Sequence, residues 1–297
     1  MNFEKIETAY ELILENIQLI ENELKTHIYD ALIEQNSFYL GAEGASEEVA
    51  ANNEKLRQLA LTKEEWRRAF QFIFIKAGQT EQLQANHQFT PDAIGFILLF
   101  LIENLTDSDK IDLLEIGSGT GNLAQTFLNN SSKELNYLGI EVDDLLIDLS
   151  ASIAEVMDSD ARFIQEDAVR QQLLQESDVI ISDKPVGIYP NDDIAKRYKV
   201  ASSDEHTYAH HLLMEQSLKY LKKDGIAVFL APVSLLTSKQ SDLLKQWLKD
   251  YADIIAVITL PESIFGNVAN AKSIFVLKKQ AAQTPETFVY PLSDLQS

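Results

Sequence analysis

Asp112-Leu-Leu-Glu-Ile-Gly-Ser-Gly-Thr-Gly-Asn-Leu123 joins an apolar run to an acid, Glu115, and to three closely spaced glycines, Gly117, Gly119 and Gly121. Glycine has no Cβ, so such positions take positive φ and let the backbone approach a ligand closely. A dinucleotide-binding turn places its third glycine three residues after the second and seats a pyrophosphate on the next helix. Here Gly121 follows Gly119 by two, and the pattern describes a strand meeting a different nucleoside-bearing ligand. Glu141 closes a second apolar run, Leu135-Asn-Tyr-Leu-Gly-Ile-Glu141. It lies about twenty residues past the glycines, where a carboxylate can accept hydrogen bonds from ribose hydroxyls. Asp167 closes a third, Ala161-Arg-Phe-Ile-Gln-Glu-Asp167, and can accept from an adenine amino group. Ligands of open α/β sheets sit outside the carboxyl ends of the strands near the topological switch point, and three acids at successive strand ends fit that geometry.

The elements that must carry these acids are legible as short apolar runs. Residues 111–116, 135–140, 161–164, 179–182, 225–231, 254–260 and 272–278 read as strands buried on both faces, and helical segments separate most of them. Only residues 261–270 lie between the last two, too few for a helical crossover, so the seventh strand is expected to return antiparallel to the sixth. A strand-like segment, 287–291, follows. Residues 1–85 are patterned as helices. Ile6, Tyr10, Leu12, Ile13, Ile17, Ile20 and Leu24 recur at mostly three- and four-residue spacing. After a loop at 41–46, helices are expected over 47–61 and 63–77, the latter capped by Thr62 with Glu64 and Glu65 in its first turn.

The glycine run with Glu115 ahead of it resembles motif I of the Rossmann-like methyltransferases, which implies S-adenosylmethionine as cofactor. On this resemblance Glu115, Gly117, Ser118, Gly119, Gly121, Glu141 and Asp167 bind it. The implied fold is α/β: a Rossmann-like seven-stranded methyltransferase sheet over residues 86–297 with an N-terminal all-helical domain over 1–85, read as a packed cap or a homodimerisation module, with a substrate-recognition module as the alternative.

Two further segments are similar to one branch, the adenine-specific N6 methyltransferases, which include the modification subunits of type I restriction systems. Gln88-Phe-Thr-Pro91, ahead of a helix over 92–105, resembles the segment that packs there over the methionine end of the cofactor, which adds Phe89, Thr90 and Pro91 to the cofactor set. Thr90 also suits an N-cap and Pro91 a first helical position. Ser182-Asp-Lys-Pro-Val-Gly-Ile-Tyr-Pro190 is similar to the Asn/Asp-Pro-Pro-Tyr/Phe element of that family. The resemblance implies that Asp183, Lys184 and Pro185 are catalytic: Asp183 and the Lys184 carbonyl accept the two protons of an adenine amino group, orienting a poor nucleophile and favouring the positive charge it develops. Val186 stands where the family carries an aromatic residue that stacks on a flipped base, a face worth roughly 1–3 kcal/mol. Tyr189 is the nearby ring that could replace it in binding the substrate.

Composition sets the remaining bounds. With 297 residues and 45% hydrophobic content the chain can build one α/β domain of about 200 residues and a smaller one. The absence of cysteine excludes disulfides, a thiol nucleophile and cysteine-ligated metals, and fits a cytoplasmic protein. No basic-then-apolar leader opens the sequence, and the apolar run 94–102 is too short to span a bilayer, so no membrane partner is expected. His206 and His210 are spaced i,i+4 but lack a second ligand set, so no metal site is read. The net charge of −21 opposes simple DNA binding, because affinity for nucleic acid comes from neutralising phosphates. Lys184 with Lys196-Arg-Tyr-Lys199 forms a candidate local basic patch, since distant charges are screened. If DNA is the partner, a separate specificity subunit, or a single-stranded target, is expected. Methyl transfer to a protein or small-molecule amine is the alternative, and a cofactor-binding partner subunit with little activity is a third reading.

Overall fold

The computed structural model describes residues 1–80, 89–185, 187–203, 206–265, 271–279 and 286–292. Helices α1 (Phe3–Leu24), α2 (Ile28–Tyr39), α3 (Glu47–Gln58), α4 (Lys63–Thr80) and α5 (Asp92–Leu105) come first. They are followed by β1 (Lys110–Ile116), α6 (Asn122–Asn130), β2 (Glu134–Glu141), α7 (Asp144–Val156), β3 (Arg162–Gln165) and β4 (Ser177–Asp183). The chain continues through α8 (Asp192–Ala195), α9 (Ala209–Lys219), β5 (Leu221–Pro232), α10 (Ser241–Tyr251), β6 (Ala252–Thr259), β7 (Lys272–Lys279) and β8 (Phe288–Pro291).

One compact unit comprises Met1–Gly95, Ser118–Ser131 and Glu141–Gln165. The expected boundary at residue 85 follows composition, whereas this unit takes in α6 and α7 as well as the N-terminal helices. The physical reason is shared burial. Leu146, Leu149, Ile153 and Met157, on one side of α7 and its C-cap, join a core with Ile6, Ile13 and Ile17 of α1, Leu32 of α2, and Phe70 and Ile73 of α4. Helix starts obey their sequence signals. Glu65 N donates to Thr62 Oγ1 at 3.3 Å and Thr62 N to Glu65 Oε2 at 3.0 Å, a reciprocal capping box at the head of α4. Inside the bundle, Asn16, Gln35, Asn52 and Asn53 are buried and share side-chain hydrogen bonds of 2.6–3.3 Å. Read singly, amides look like surface residues; here they pair with one another, and Asn53 Nδ2 alone of their side-chain atoms is buried without a partner among the described residues.

The second unit, Phe96–Gly117, Ser132–Ile140 and Glu166–Ser297, holds seven strands in the order β2-β1-β4-β5-β7-β6-β8. β1 pairs in parallel with β2 on one side and β4 on the other. The chain therefore leaves β1 in one direction and returns later on its other flank, which makes the carboxyl end of β1 a switch point. Leu113, Leu114, Val179, Ile180, Ile181 and residues 226–231 are buried, as strands covered on both faces require. β7 runs antiparallel to both β5 and β6, the expected final reversal. The strand-like segment at 287–291 is an eighth strand, β8, parallel to β6, so the described residues contain eight strands rather than seven.

Candidate active site

The glycine loop leaves β1 through Gly117, whose N–H donates to Ile140 O at 2.8 Å. Gly117, Gly119 and Gly121 all have positive φ, at 75°, 54° and 76°. Their surroundings differ. A Cβ at Gly117 or Gly119 would meet nothing within 4 Å, whereas one at Gly121 would lie 3.0 Å from Ser150 Cβ and 3.2 Å from Phe163 Cζ. Gly121 thus lets α6 close on α7 and β3. Gly121→Ala is expected to destabilise the fold by about 2–4 kcal/mol, combining left-handed strain with overpacking, and thermal unfolding with an unchanged midpoint would refute that role.

Glu141 is buried and held by backbone. Its Oε2 accepts from Gly119 N at 2.8 Å, and its Oε1 from Val142 N and Asp143 N at 2.8 and 3.0 Å. A carboxylate offers about four lone-pair sites, so these bonds leave one, on Oε2. Beside the loop, Ser118 Oγ, Asn122 Oδ1 and both polar side-chain atoms of Gln125 are buried without a hydrogen-bond partner among the described residues. Asn122 Nδ2 donates to Thr90 O at 3.2 Å, tying the Phe89-Thr90-Pro91 segment to the head of α6. Phe89 packs on Phe74 with ring centroids 5.8 Å apart. α5 spans Asp92–Leu105, the expected range, and Pro91 O accepts from Ile94 N and Gly95 N. Gln88 lies outside the described residues.

Asp92 belongs to a cluster that the sequence reading missed. Arg67 of α4 is buried and holds both Asp92 oxygens, at 2.8 and 3.0 Å, and both Glu64 oxygens, at 2.6 and 2.8 Å, with Thr126 Oγ1 at 3.2 Å. Gln71 Nε2 donates to Asp92 Oδ1 at 2.6 Å. The arginine anchors the first residue of α5, and with it the segment before. Its signal was faint, because an Arg three residues after a Glu on a helix reads as a surface pair.

In the second unit Glu115 is buried and accepts from Tyr137 OH at 2.5 Å. Burial, with the Glu115 charge beside it, holds the Tyr137 hydroxyl well above its usual pKa. Asp167 accepts from Val169 N at 3.0 Å and from Tyr189 OH at 2.6 Å, with Arg170 Nε at 3.4 Å. Tyr189 is buried, and its hydroxyl is pushed up to about 12 by burial and by the Asp167 bond. The structure therefore gives this ring to Asp167 and not to an exposed acceptor face. Val186 lies outside the described residues.

Asp183 ends β4, opposite Leu230 of β5, and its Oδ1 pairs with Lys272 Nζ. Lys184 overturns part of the sequence reading. It is fully buried, with Nζ 4.0 Å from the Phe229 ring centroid and 3.3 Å from Ser217 Oγ, so it cannot join the exposed Lys196 and Lys199 in a surface patch. Burial holds its ammonium well below the usual lysine pKa, which favours a neutral amine. Pro185 is exposed, and its carbonyl bonds to the His210 side chain. His210 and His211 are buried, and their rings meet edge-on at 4.8 Å, leaving His210 Nδ1 and both His211 nitrogens unpartnered among the described residues. Burial lowers them to about 3 and about 4, with His211, Lys184 and Lys272 adding to the effect at His210. His206 is separate and exposed, 2.9 Å from Asp192.

The two buried histidines predict acid lability. Unfolded, each protonates below about pH 6.5; folded, each stays neutral until about pH 4 or below. Stability is therefore complete above pH 6.5 and declines as pH falls toward 4, by up to about 1.4 kcal/mol per pH unit for each histidine. Denaturant titrations of wild type and His211→Phe across that window check it. Equal pH slopes would remove His211 from the account.

The N-6 DNA methylase family profile matches residues 62–296. The chain belongs to the N-6 DNA methylase family. Its cofactor is accordingly S-adenosylmethionine, and the open side of Gly117 and Gly119 and the unpartnered polar atoms of Ser118, Asn122 and Gln125 suit such a ligand. The Bacillus subtilis (strain 168) protein named "Uncharacterized protein YtxK" is 35% identical over 276 residues, covering 89% of this chain and 83% of the relative. A Listeria monocytogenes crystal structure, described as a candidate class I S-adenosylmethionine-dependent methyltransferase, superposes with a TM-score of 0.92 at 28% identity, covering 100% of this chain and 95% of the other. The methyltransferase subunit of a type I restriction-modification system from Streptococcus thermophilus shares the fold, with a TM-score of 0.65 at 15% identity over 82% of this chain and 56% of that one. No described helix is long and apolar enough to cross a membrane.

Proposed function

We propose that the chain transfers the methyl group of S-adenosylmethionine to the N6 amino group of adenine in nucleic acid. The observation that carries this reading is Asp183-Lys184-Pro185 at the carboxyl end of β4, the strand beside β1, in a member of this family. Glu141 takes a ribose hydroxyl on its remaining lone pair and Asp167 takes the cofactor's adenine amino group. The glycine loop with Ser118, Phe89, Thr90 and Pro91 surrounds the methionine end. Bound S-adenosylmethionine supplies an electrophilic methyl on its sulfonium. The acceptor nitrogen is a poor nucleophile because its lone pair is delocalised into the ring. Asp183 and the Lys184 carbonyl accept its two hydrogens, which aligns the nitrogen and favours the positive charge that builds on it.

A target inside a duplex must be turned out of the stack, and a chain of charge −21 grips phosphates poorly. This reading therefore includes a separate DNA-specificity subunit or a single-stranded target, in the cytoplasm. The net charge of −21 and Val186 in place of an aromatic residue favour a second reading, in which the acceptor is an amine of a protein or small molecule.

Two measurements test the proposal. Gly119→Val should weaken cofactor binding at least tenfold by calorimetry, because a β-branched residue is strained at φ 54° and its side chain enters the open space; unchanged affinity would sink the placement. Labelled-methyl incorporation into DNA, RNA and protein fractions then identifies the acceptor. Label in N6-methyladenine supports the reading, and label confined to protein or small molecules refutes it.

A further inference from the structure

Lys272 is the first residue of β7, and because β7 returns antiparallel to β5, it lies opposite Pro232 at the carboxyl end of that strand. Leu230, two residues earlier on β5, is the partner of Asp183 on β4. The register therefore carries a lysine from β7 across β5 to the acid expected to receive the acceptor. Both side chains are largely covered, 16% exposed for Lys272 and 25% for Asp183. Among the described residues Asp183 is the one carboxylate with which Lys272 pairs. Among the described residues, Lys184, His210 and His211 also stand at the motif, and none of the three supplies negative charge.

An acceptor amine and the Lys272 ammonium want the same carboxylate. A charge-assisted bond is about twice as strong as a neutral one, and removing one partner of a covered ion pair leaves an uncompensated charge. A neutral amine alone is therefore a poor competitor for Asp183. The exchange becomes favourable if the incoming molecule brings an anion for the lysine. A base within a nucleic-acid strand does so, because a phosphodiester flanks it. We infer that Lys272 is a specificity-determining residue that yields Asp183 to an acceptor base when a phosphodiester of the same strand takes the lysine ammonium in exchange. The inference rests on the adenine reading above, and it makes free adenosine a poor substrate.

The test compares a short single strand with one adenine, in its phosphodiester form, with the same strand carrying uncharged methylphosphonate linkages. Methyl transfer to each is measured for wild type and Lys272→Met. Binding of each is followed by fluorescence anisotropy over a salt series, with S-adenosylhomocysteine in every sample so that the cofactor's own carboxylate is common to all. Wild type should prefer the charged strand by at least about tenfold in kcat/KM, the factor that 1.4 kcal/mol provides. Lys272→Met should lose that preference and use the uncharged strand better than wild type does. Its log–log salt slope on the charged strand should be shallower by about 0.7, one phosphate contact on a single strand. Equal preference and equal slope in the two proteins overturn the exchange, and so does failure of wild type to bind either strand. Strands that bind with a Lys272-dependent slope but accept no methyl refute the adenine reading and leave the exchange standing. Methylated strands with no dependence on Lys272 do the reverse.

Discussion

Asp183→Ala is expected to lower methyl transfer about 10²–10³-fold while cofactor affinity stays within a few-fold of wild type. A positioned group that stabilises developing charge commonly contributes this much to a rate constant, and Asp183 ends β4 beside the switch-point strand. The variant also strands the ammonium of Lys272, so a loss of activity could arise from local rearrangement. Asp183→Ala combined with Lys272→Met removes both charges and should stay equally inactive while melting near the wild-type temperature. Single-turnover transfer of labelled methyl gives the rate and calorimetry gives the cofactor affinity. An active Asp183→Ala enzyme would end the adenine-type mechanism for this chain.

Arg67→Met is expected to cost about 3–5 kcal/mol of stability, the range for removing one partner of a buried charge cluster. The guanidinium side chain is 1% exposed and binds two carboxylates, which would be left with the more exposed Arg68 alone as their cation. Arg67→Lys should recover part of the loss, because a point charge replaces the fork but cannot hold both acids bidentately. Burial raises the Glu64 carboxyl, but the bonds and charge of Arg67, with Asn129 and Arg68, outweigh it and leave the pKa below the ordinary value. Glu64 therefore contributes stability above about pH 4.5 that is lost as pH falls below it. Guanidinium denaturation near neutral pH measures the effect, and a loss under about 1 kcal/mol would show that Arg67 is not the anchor of α5.

The sheet was legible because strands buried on both faces are written as continuous apolar runs, and the brevity of residues 261–270 foretold the direction of β7. The glycine loop was legible because backbone at positive φ favours glycine, and Gly117, Gly119 and Gly121 all adopt it. Lys184 misled: a lysine after a strand looks like solvent-facing charge, and only Phe229 and Ser217, brought in by β5 and α9, bury it. Arg67 was invisible for the related reason that its decisive partner, Asp92, is distant in sequence. Lys272 could have been found. An antiparallel final strand must begin where its parallel neighbours end, so its first residue was already placed by the predicted reversal.

The two units interleave along the chain, which passes from one to the other after Gly95, Gly117, Ser131, Ile140 and Gln165. This bears on synthesis. A ribosome that has released the N-terminal helices has not yet delivered α7, whose apolar side completes their core, so the first unit cannot finish folding until Gln165 is out. Until then Ile13, Ile17, Phe70 and Ile73 await their partners, and nascent chains arrested before α7 should be the ones that chaperones and proteases hold longest. A fragment ending at residue 85 should behave likewise when expressed alone.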